Sequence, residues 1–162
     1  MNTFKKYLLL FCLALPGIWM HAQKDLSIKT VFDDYGKQEG SVMIELAKDV
    51  LSDNTKISHY KSLITSSDSK TVKAIEEAVQ KDLEGGSILL ESKKDGQMET
   101  ACYCLKKESN SPVYEYILFK NKSGKITLLY VKGYFPPQDL EQELGELKGL
   151  FIKINNNKKI KF

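Results

Sequence analysis

The chain has 162 residues, a length that suits one domain, and its 24 basic and 21 acidic side chains give a formal charge of +3. Hydrophobic residues make up 42% and charged residues 28%, which are values of a globular protein and exclude a disordered chain. Every basic residue is lysine, which excludes bidentate guanidinium recognition of phosphate or carboxylate and any arginine-finger chemistry.

Residues 1–22 predict a secretory signal peptide. Lys5 and Lys6 precede an apolar run from Tyr7 to Trp19, and Ala22 is the small residue that signal peptidase needs. The run is too short to cross a bilayer, which takes roughly 20 residues. We therefore expect cleavage after Ala22, with export to the periplasm or the cell exterior and no transmembrane span afterwards. An uncleaved N-terminal membrane anchor is the alternative.

Charge along the expected mature chain argues against a nucleic-acid partner. Cleavage leaves 22 basic against 21 acidic side chains. Residues 151–162 form a lysine-rich tail, so the preceding residues carry no broad basic surface of the kind that nucleic-acid binders need. We expect the tail to be a frayed end, with contact to an anionic lipid or polymer as the alternative.

Helical periodicity occurs in three segments. The first runs from about Ser27 to Lys37 and is capped by Asp25 or Ser27. The second begins at Asp68 or Ser69 and ends at Gly85-Gly86, and the third follows Pro137 and ends at Gly149. Each helix has one apolar stripe, formed by Ile28, Val31, Phe32 and Tyr35, by Val72, Ile75, Val79 and Leu83, and by Leu140, Leu144 and Leu147.

Strand patterns occupy the rest of the domain. Residues 41–51 fit both a strand and a helix, so a short strand running into a helical turn is expected there, and residues 57–65 predict a further strand. From Ser87 onward the period changes to two, which predicts strands over 88–92, 98–107, 113–120 and 126–134. Because their connections are short, these four strands should form an antiparallel meander.

These patterns together predict an α+β fold, with about three helices packed against a mostly antiparallel sheet. Both faces of the strands at 113–120 and 126–134 are apolar, which is typical of central strands covered on both sides. Residues 23–150 should form one such domain, between the signal peptide and the tail.

The most reactive pattern is the pair Cys102 and Cys104. Positions i and i+2 of a strand point to the same face, so the two sulfur atoms should be neighbours. We expect small buried core residues, with a structural or regulatory disulfide and a redox or metal role as alternatives. The mature chain offers only His59 as a nitrogen ligand, so no metal or cofactor is expected.

Other polar candidates have structural interpretations. His59 has no orienting carboxylate or nucleophile at a recognisable spacing, and we expect it to be structural. Asp33 and Asp34 are adjacent on a helix and do not face each other, so a solvated helix face is expected. No catalytic residue is assigned.

Five tyrosines fall in the four-stranded region, and tyrosine suits recognition surfaces as well as ordinary sheet faces. An exposed binding face formed by them is one hypothesis, with ordinary sheet packing as the alternative. They are Tyr103, Tyr114, Tyr116, Tyr130 and Tyr134.

The layout resembles a secreted bacterial family common in Bacteroidetes, catalogued as domain of unknown function 4252. The resemblance is carried by the helix from Ser27 to Tyr35, the turn containing Gly40, the strand Val42-Met43-Ile44, and Gly133 before the leucine-rich helix. It implies export and an α+β fold, and it supplies no activity or catalytic residue.

The expected function is therefore a non-enzymatic envelope protein that binds another envelope protein or a surface component through its sheet. A small-ligand carrier with an apolar pocket between sheet and helices is one alternative. An enzyme or redox protein that uses Cys102 and Cys104 is the other.

Overall fold

The computed structural model describes residues 26–51 and 53–147. The predicted signal peptide, the predicted helix end at Gly149 and the lysine-rich tail lie outside these ranges.

The elements follow the predicted order along the chain. The helices are α1 (Ser27–Tyr35), α2 (Ser69–Asp82) and α3, formed by residues 140–147 after a 3-10 turn at Pro137–Asp139. The strands are β1 (Val42–Ala47), β2 (Ile57–Ser66), β3 (Ser87–Lys94), β4 (Gln97–Cys104), β5 (Tyr114–Lys122) and β6 (Lys125–Gly133).

The six strands form one antiparallel sheet in the order β1-β2-β6-β5-β4-β3. The predicted α+β fold and the meander from β3 to β6 are confirmed. β5 and β6 lie in the centre, as their two apolar faces indicate. On one side β2 pairs with its sequence neighbour β1, and on the other it pairs with β6 rather than with β3, an arrangement that no local pattern predicts.

Two turns close the predicted hairpins. Asp95 and Gly96 have φ values of 53° and 78°, and Ser123 and Gly124 have φ values of 55° and 75°. Two successive residues with positive φ match the twist of the flanking strands, which is why Asp-Gly and Ser-Gly occur there.

One face of the sheet, which we call face 1, is covered by α1 and α2. Its buried side chains include Leu63, Tyr103, Ile117 and Leu128, which pack with residues of both helices in one cluster. The opposite face, face 2, carries a second cluster built around Ile57, Cys104, Tyr116 and Val131. Successive residues of β4, β5 and β6 alternate between the two clusters, as the pleat requires.

The cap of α1 differs from the prediction. The N-cap residue is Leu26, which has no side-chain cap hydrogen bond, and Ser27 is the first residue of the helix rather than its cap. Asp25, the other predicted cap, lies outside the described residues. The carboxylate of Asp82, at the end of α2, instead accepts hydrogen bonds from the backbone N–H groups of Ser27 at 2.7 Å and Ile28 at 2.8 Å. A tertiary contact between the helices therefore caps α1.

The second helix is capped as predicted. The Asp68 carboxylate accepts from the Thr71 N–H at 2.9 Å and from the Thr71 hydroxyl at 2.7 Å. These hydrogen bonds, led by the one from the Thr71 hydroxyl, hold the pKa of Asp68 below its ordinary value.

The cover of face 2 is shorter than that of face 1. Phe135, Leu140 and Leu147 are buried against the end of the sheet where β2 begins and β6 ends. The Tyr116 hydroxyl donates to the Phe135 carbonyl at 2.7 Å, which fixes this cover to the sheet. Gly133 allows the close approach, because a Cβ there would lie 2.7 Å from the Lys56 carbonyl oxygen and would collide with the Phe135 ring.

A buried carboxylate links α3 to the start of β2. Glu143 is 4% exposed and accepts from the Lys56 N–H at 2.9 Å and the Thr55 hydroxyl at 3.1 Å. The Lys56 ammonium lies 3.7 Å from the same carboxylate. These partners satisfy a charge that would otherwise be costly to bury.

Candidate functional site

The five tyrosines do not form one exposed surface, which corrects that part of the hypothesis. Tyr103 and Tyr130 pack in the face 1 cluster, whereas Tyr114 and Tyr116 belong to face 2. Tyr103 and Tyr116 are fully buried and Tyr130 is 8% exposed, so of the five only Tyr134 is largely exposed, at 57%. The reason is the pleat and the register: alternate residues of a strand point to opposite faces, and the pairing places Tyr103 and Tyr130 on one face and Tyr114 and Tyr116 on the other.

Cys102 and Cys104 are free thiols that lie on face 2 and are buried there, on the same face as predicted. Burial, with a smaller effect from the neighbouring Cys104, raises the pKa of the Cys102 thiol to about 11. Burial also raises the pKa of Cys104. Reactive cysteines have lowered pKa values, because the thiolate is the nucleophile, so this environment disfavours nucleophilic chemistry.

His59 and Asp33 belong to a network of polar and charged side chains on face 1. The Glu45 carboxylate lies 3.3 Å from His59 Nε2 and 3.2 Å from Lys61 Nζ, and Lys61 Nζ lies 3.8 Å from the Asp33 carboxylate. Lys61 also lies over the Phe32 ring, at 5.3 Å from the centroid. The network connects α1 to β1 and β2, which gives these polar groups a structural role.

A cleft of about 930 Å³ opens beside this network, at the ends of α2 and β6. At its base the Tyr130 hydroxyl donates to Glu115 at 2.7 Å, and Lys132 Nζ lies 3.2 Å from the other oxygen of that carboxylate. Burial, then the hydrogen bond to Glu115, raises the pKa of Tyr130.

Charged and polar side chains contribute most of the cleft lining, and these include Lys29, Asp82, Glu84 and Lys107. The lining is therefore unlike the apolar pocket that a small-ligand carrier would need.

Within residues 26–51 and 53–147, no group of three or more His, Cys, Asp or Glu side chains is placed to hold a metal ion. No helix in those ranges has the length and apolar character needed to cross a membrane.

Face 2 carries an apolar surface beyond the cover made by α3. The register places Leu129 of β6 opposite Leu118 of β5, and Leu118 opposite Cys102, which in turn faces Leu90 of β3. Leu90 is 54% exposed and Ile64 of β2 is 37% exposed, while Leu118 and Leu129 are half-buried. We call Ile64, Leu90, Leu118 and Leu129 the open shelf.

Lysines border the open shelf on the side away from α3. Lys120 and Lys122 follow Leu118 at face 2 positions of β5, and Lys125 of β6 is opposite Lys122. Lys94 lies at the corresponding end of β3. All four are exposed, and within the part of the chain that the structure describes none of them has an ion pair with a carboxylate.

Sequence reasoning missed this combination. The alternation in Leu118, Lys120 and Lys122, matched by Lys125 and Leu129 across the turn, already places apolar and basic residues on one face. That signal could have been read from the predicted hairpin. What it could not show is that α3 covers only the other half of that face.

By its fold, this is an α+β protein with a six-stranded antiparallel sheet that is backed by two helices on one face and partly covered on the other. The model of a family of unknown function, DUF6108, matches residues 15–144, so the chain belongs to that family. A search of curated proteins finds no match.

The expected membership in domain of unknown function 4252 is wrong, because the matching family is a different one. That resemblance depended on helix, strand and glycine positions. Such features recur in unrelated α+β domains because they reflect packing and turn geometry.

Proposed function

We propose that this protein is an exported, non-enzymatic binding protein whose open shelf binds an acidic, amphipathic helical segment of another protein. The observation that carries the proposal is the pairing of an exposed apolar surface with a border of four lysines that have no carboxylate partner among the described residues. The proposed export to the periplasm or the cell exterior depends on the signal peptide predicted at residues 1–22.

The shape of face 2 favours a helix as the occupant. α3 already lies on this face and buries one stripe of leucines, Leu140, Leu144 and Leu147, against the sheet. The six strands of the sheet span roughly 24 Å at about 4.8 Å per step, which is the length of about 16 helical residues. A second helix beside α3 would therefore cover the shelf across the whole sheet.

Charge favours an acidic partner. No register-paired face 2 position of β3, β4, β5 or β6 holds Asp or Glu, so Lys94, Lys120, Lys122 and Lys125 create a local positive potential. Carboxylates along one side of an apolar stripe would reach these ammonium groups while the stripe covers Leu118 and Leu129. Such contacts are solvent-exposed, so binding should weaken with added salt.

Binding can be tested with a synthetic peptide of about 16 residues, which matches the width of the sheet. It has a leucine stripe flanked by Glu, and its matched control has Lys in place of Glu. We expect fluorescence anisotropy to detect binding of the Glu peptide, which falls with salt, and no binding of the Lys peptide. The variant Lys120→Glu/Lys122→Glu should weaken binding at least about tenfold, equivalent to about 1.4 kcal/mol.

The matched protein control is Lys37→Glu/Lys70→Glu, which makes the same charge change at exposed positions outside the sheet. Equal loss in both variants would mean that net charge, not the shelf, attracts the peptide. Equal binding of the Glu and Lys peptides would overturn the proposal.

The proposed export can be tested separately from binding. Expression of the full chain in a bacterium, followed by fractionation and intact mass measurement, should give a polypeptide that begins at Gln23 outside the cytosol. A full-length chain that stays in the cytosol would contradict export without affecting the binding result.

A further inference from the structure

The two edges of the sheet differ in how they are protected. β3 has register shifts between Ile88 and Leu90 and between Ser92 and Lys93, and its second half carries charged side chains. β1 pairs all six of its residues with β2 without a shift. Natural sheets protect their edges with bulges and charges, because unpaired backbone groups otherwise accept another strand.

The exposed side chains of β1 strengthen this difference. Val42 is 54% exposed, Ile44 is 40% exposed and Met43 is 39% exposed. The single charged residue of the strand, Glu45, is already paired with His59 and Lys61 of β2. The β1 edge is therefore a regular, largely apolar strand that lacks the protection found at β3.

The sequence of β1 allows it to pair with its own copy. A two-fold axis perpendicular to the sheet makes two β1 strands antiparallel and keeps face 2 on the same side in both chains. Directly opposed residues must then point to the same face, so the axis lies midway between the two copies of one residue, which oppose each other across it.

Among the registers of this kind, those centred on Ile44 and on Glu45 retain the longest ladder, five of the six residues of β1. The register centred on Glu45 would place two carboxylates directly opposite each other, which is destabilising. The register centred on Ile44 places Ile44 opposite the partner's Ile44 and Val42 opposite the partner's Leu46. In this register Glu45 lies opposite the partner's Met43 and keeps its own ion pairs.

We propose that the protein forms a symmetric dimer through antiparallel pairing of β1 with β1 of a second copy, centred on Ile44. Two six-stranded sheets become one twelve-stranded sheet, and the ladder satisfies the outward backbone groups of both edges. The exposed apolar side chains of β1 then pack on those of the second copy. This inference is independent of the proposed partner of the open shelf, although the dimer would present two shelves on the same side.

A cross-linking experiment tests the register. In an antiparallel pair, directly opposed Cα atoms are about 4.5–5.5 Å apart, within the range that a disulfide spans. The variant Ile44→Cys of the mature chain should therefore form a covalent dimer under mild oxidation. Ile88→Cys, at a similarly exposed apolar position on the other edge strand, is the matched control and should stay uncross-linked. No dimer from Ile44→Cys, or equal dimer from both variants, would overturn the proposal.

Light scattering after size exclusion tests the dimer without a new cysteine. The unmodified mature chain should have the mass of two copies, and Ile44→Lys should have the mass of one, since it opposes two ammonium groups at the axis. Leu89→Lys on β3 is the control and should remain dimeric, and circular dichroism verifies that each variant folds. An unmodified chain with the mass of one copy at every concentration would exclude the dimer.

The Glu-flanked peptide separates this inference from the proposed function. The monomeric Ile44→Lys variant should still bind that peptide, at least as tightly per chain, because the shelf residues are intact and the new ammonium group on face 2 has the same sign as the lysine border. Loss of dimerisation with retained peptide binding supports both proposals. A monomeric unmodified chain that binds the peptide overturns only the dimer, and a dimer that does not bind it overturns only the shelf.

Discussion

The two faces of the sheet are formed by the same strands but differ in how much of their apolar surface is covered and in whether their charged groups are paired. On face 1, α1 and α2 bury a continuous core, and the charged groups are paired, as in Glu45 with Lys61 and Glu115 with Lys132. On face 2, Phe135 and α3 bury one half, while the other half presents leucines beside lysines that lack carboxylate partners in the described ranges.

The difference shows where recognition can be located on such a domain. A face with satisfied charges and a closed core has little left to offer a partner, whereas an exposed apolar surface with an unbalanced charge gains free energy from being covered. The chemically suggestive groups of the strands, namely the buried thiols, four of the five tyrosines and His59, lie among packed or paired neighbours. The open shelf contains none of the residue types that sequence motifs highlight.

The largest expected effect comes from two adjacent leucines on β6. Leu128 is fully buried on face 1, while Leu129 is half-buried on the open shelf. Leu128→Ala should lower the free energy of unfolding by about 2–5 kcal/mol because it leaves a cavity, whereas Leu129→Ala should cost under about 1 kcal/mol. Urea denaturation of both variants measures the contrast. Similar losses of unfolding free energy in the two variants would mean that Leu129 is covered as fully as Leu128.

A smaller effect is expected where face 2 is covered. Gly133→Ala introduces a Cβ that meets the Lys56 carbonyl oxygen and the Phe135 ring. Overpacking of this kind costs about 1–3 kcal/mol and should loosen the loop that fixes Phe135 over Tyr116. Denaturation gives the loss of stability, with Gly124→Asn as a control in a hairpin turn that has open space. An unchanged denaturation midpoint for Gly133→Ala would show that the loop carrying Phe135 shifts without cost to make room for the added methyl group.

The smallest effect is a dependence on alkaline pH. Burial raises the pKa of Cys102 to about 11 and raises that of Tyr103 on the other face, so the folded state favours both neutral forms. This contribution to stability is complete below the unfolded thiol pKa of about 8.5 and is lost as pH rises through the folded values.

At pH 9 we expect the free energy of unfolding to be lower than at pH 7 by less than about 1 kcal/mol from this thiol. The decrease between these pH values should be smaller in Cys102→Ala, a variant that removes the group while keeping β4 apolar. Stability that stays flat to pH 10 in the unmodified chain would contradict the burial of the thiol.

Local sequence patterns are sufficient to predict the helices and strands, but they do not predict which surfaces the folded protein exposes. The helical stripe from Ile28 to Tyr35 and the period-two pattern after Ser87 predict α1 and the β3–β6 meander, because each reflects a single face of one element. Residues 41–51 were ambiguous, and pairing with β2 resolved them into β1 followed by turns. The five tyrosines were grouped by position in sequence, but the pleat separates them onto opposite faces.

The sequence by itself determined the element order, the hairpin turns at Asp95-Gly96 and Ser123-Gly124, and the α+β class, because periodicity and turn chemistry act over a few neighbouring residues. Tertiary structure alone decided that β2 joins β6, that Asp82 caps α1, and that α3 covers only half of face 2. Each of these depends on contact between residues far apart in the chain, whose free energy no local pattern encodes. The open shelf follows from the partial cover by α3, and the position of β1 at an edge follows from the pairing of β2 with β6, so both became visible only in the folded molecule.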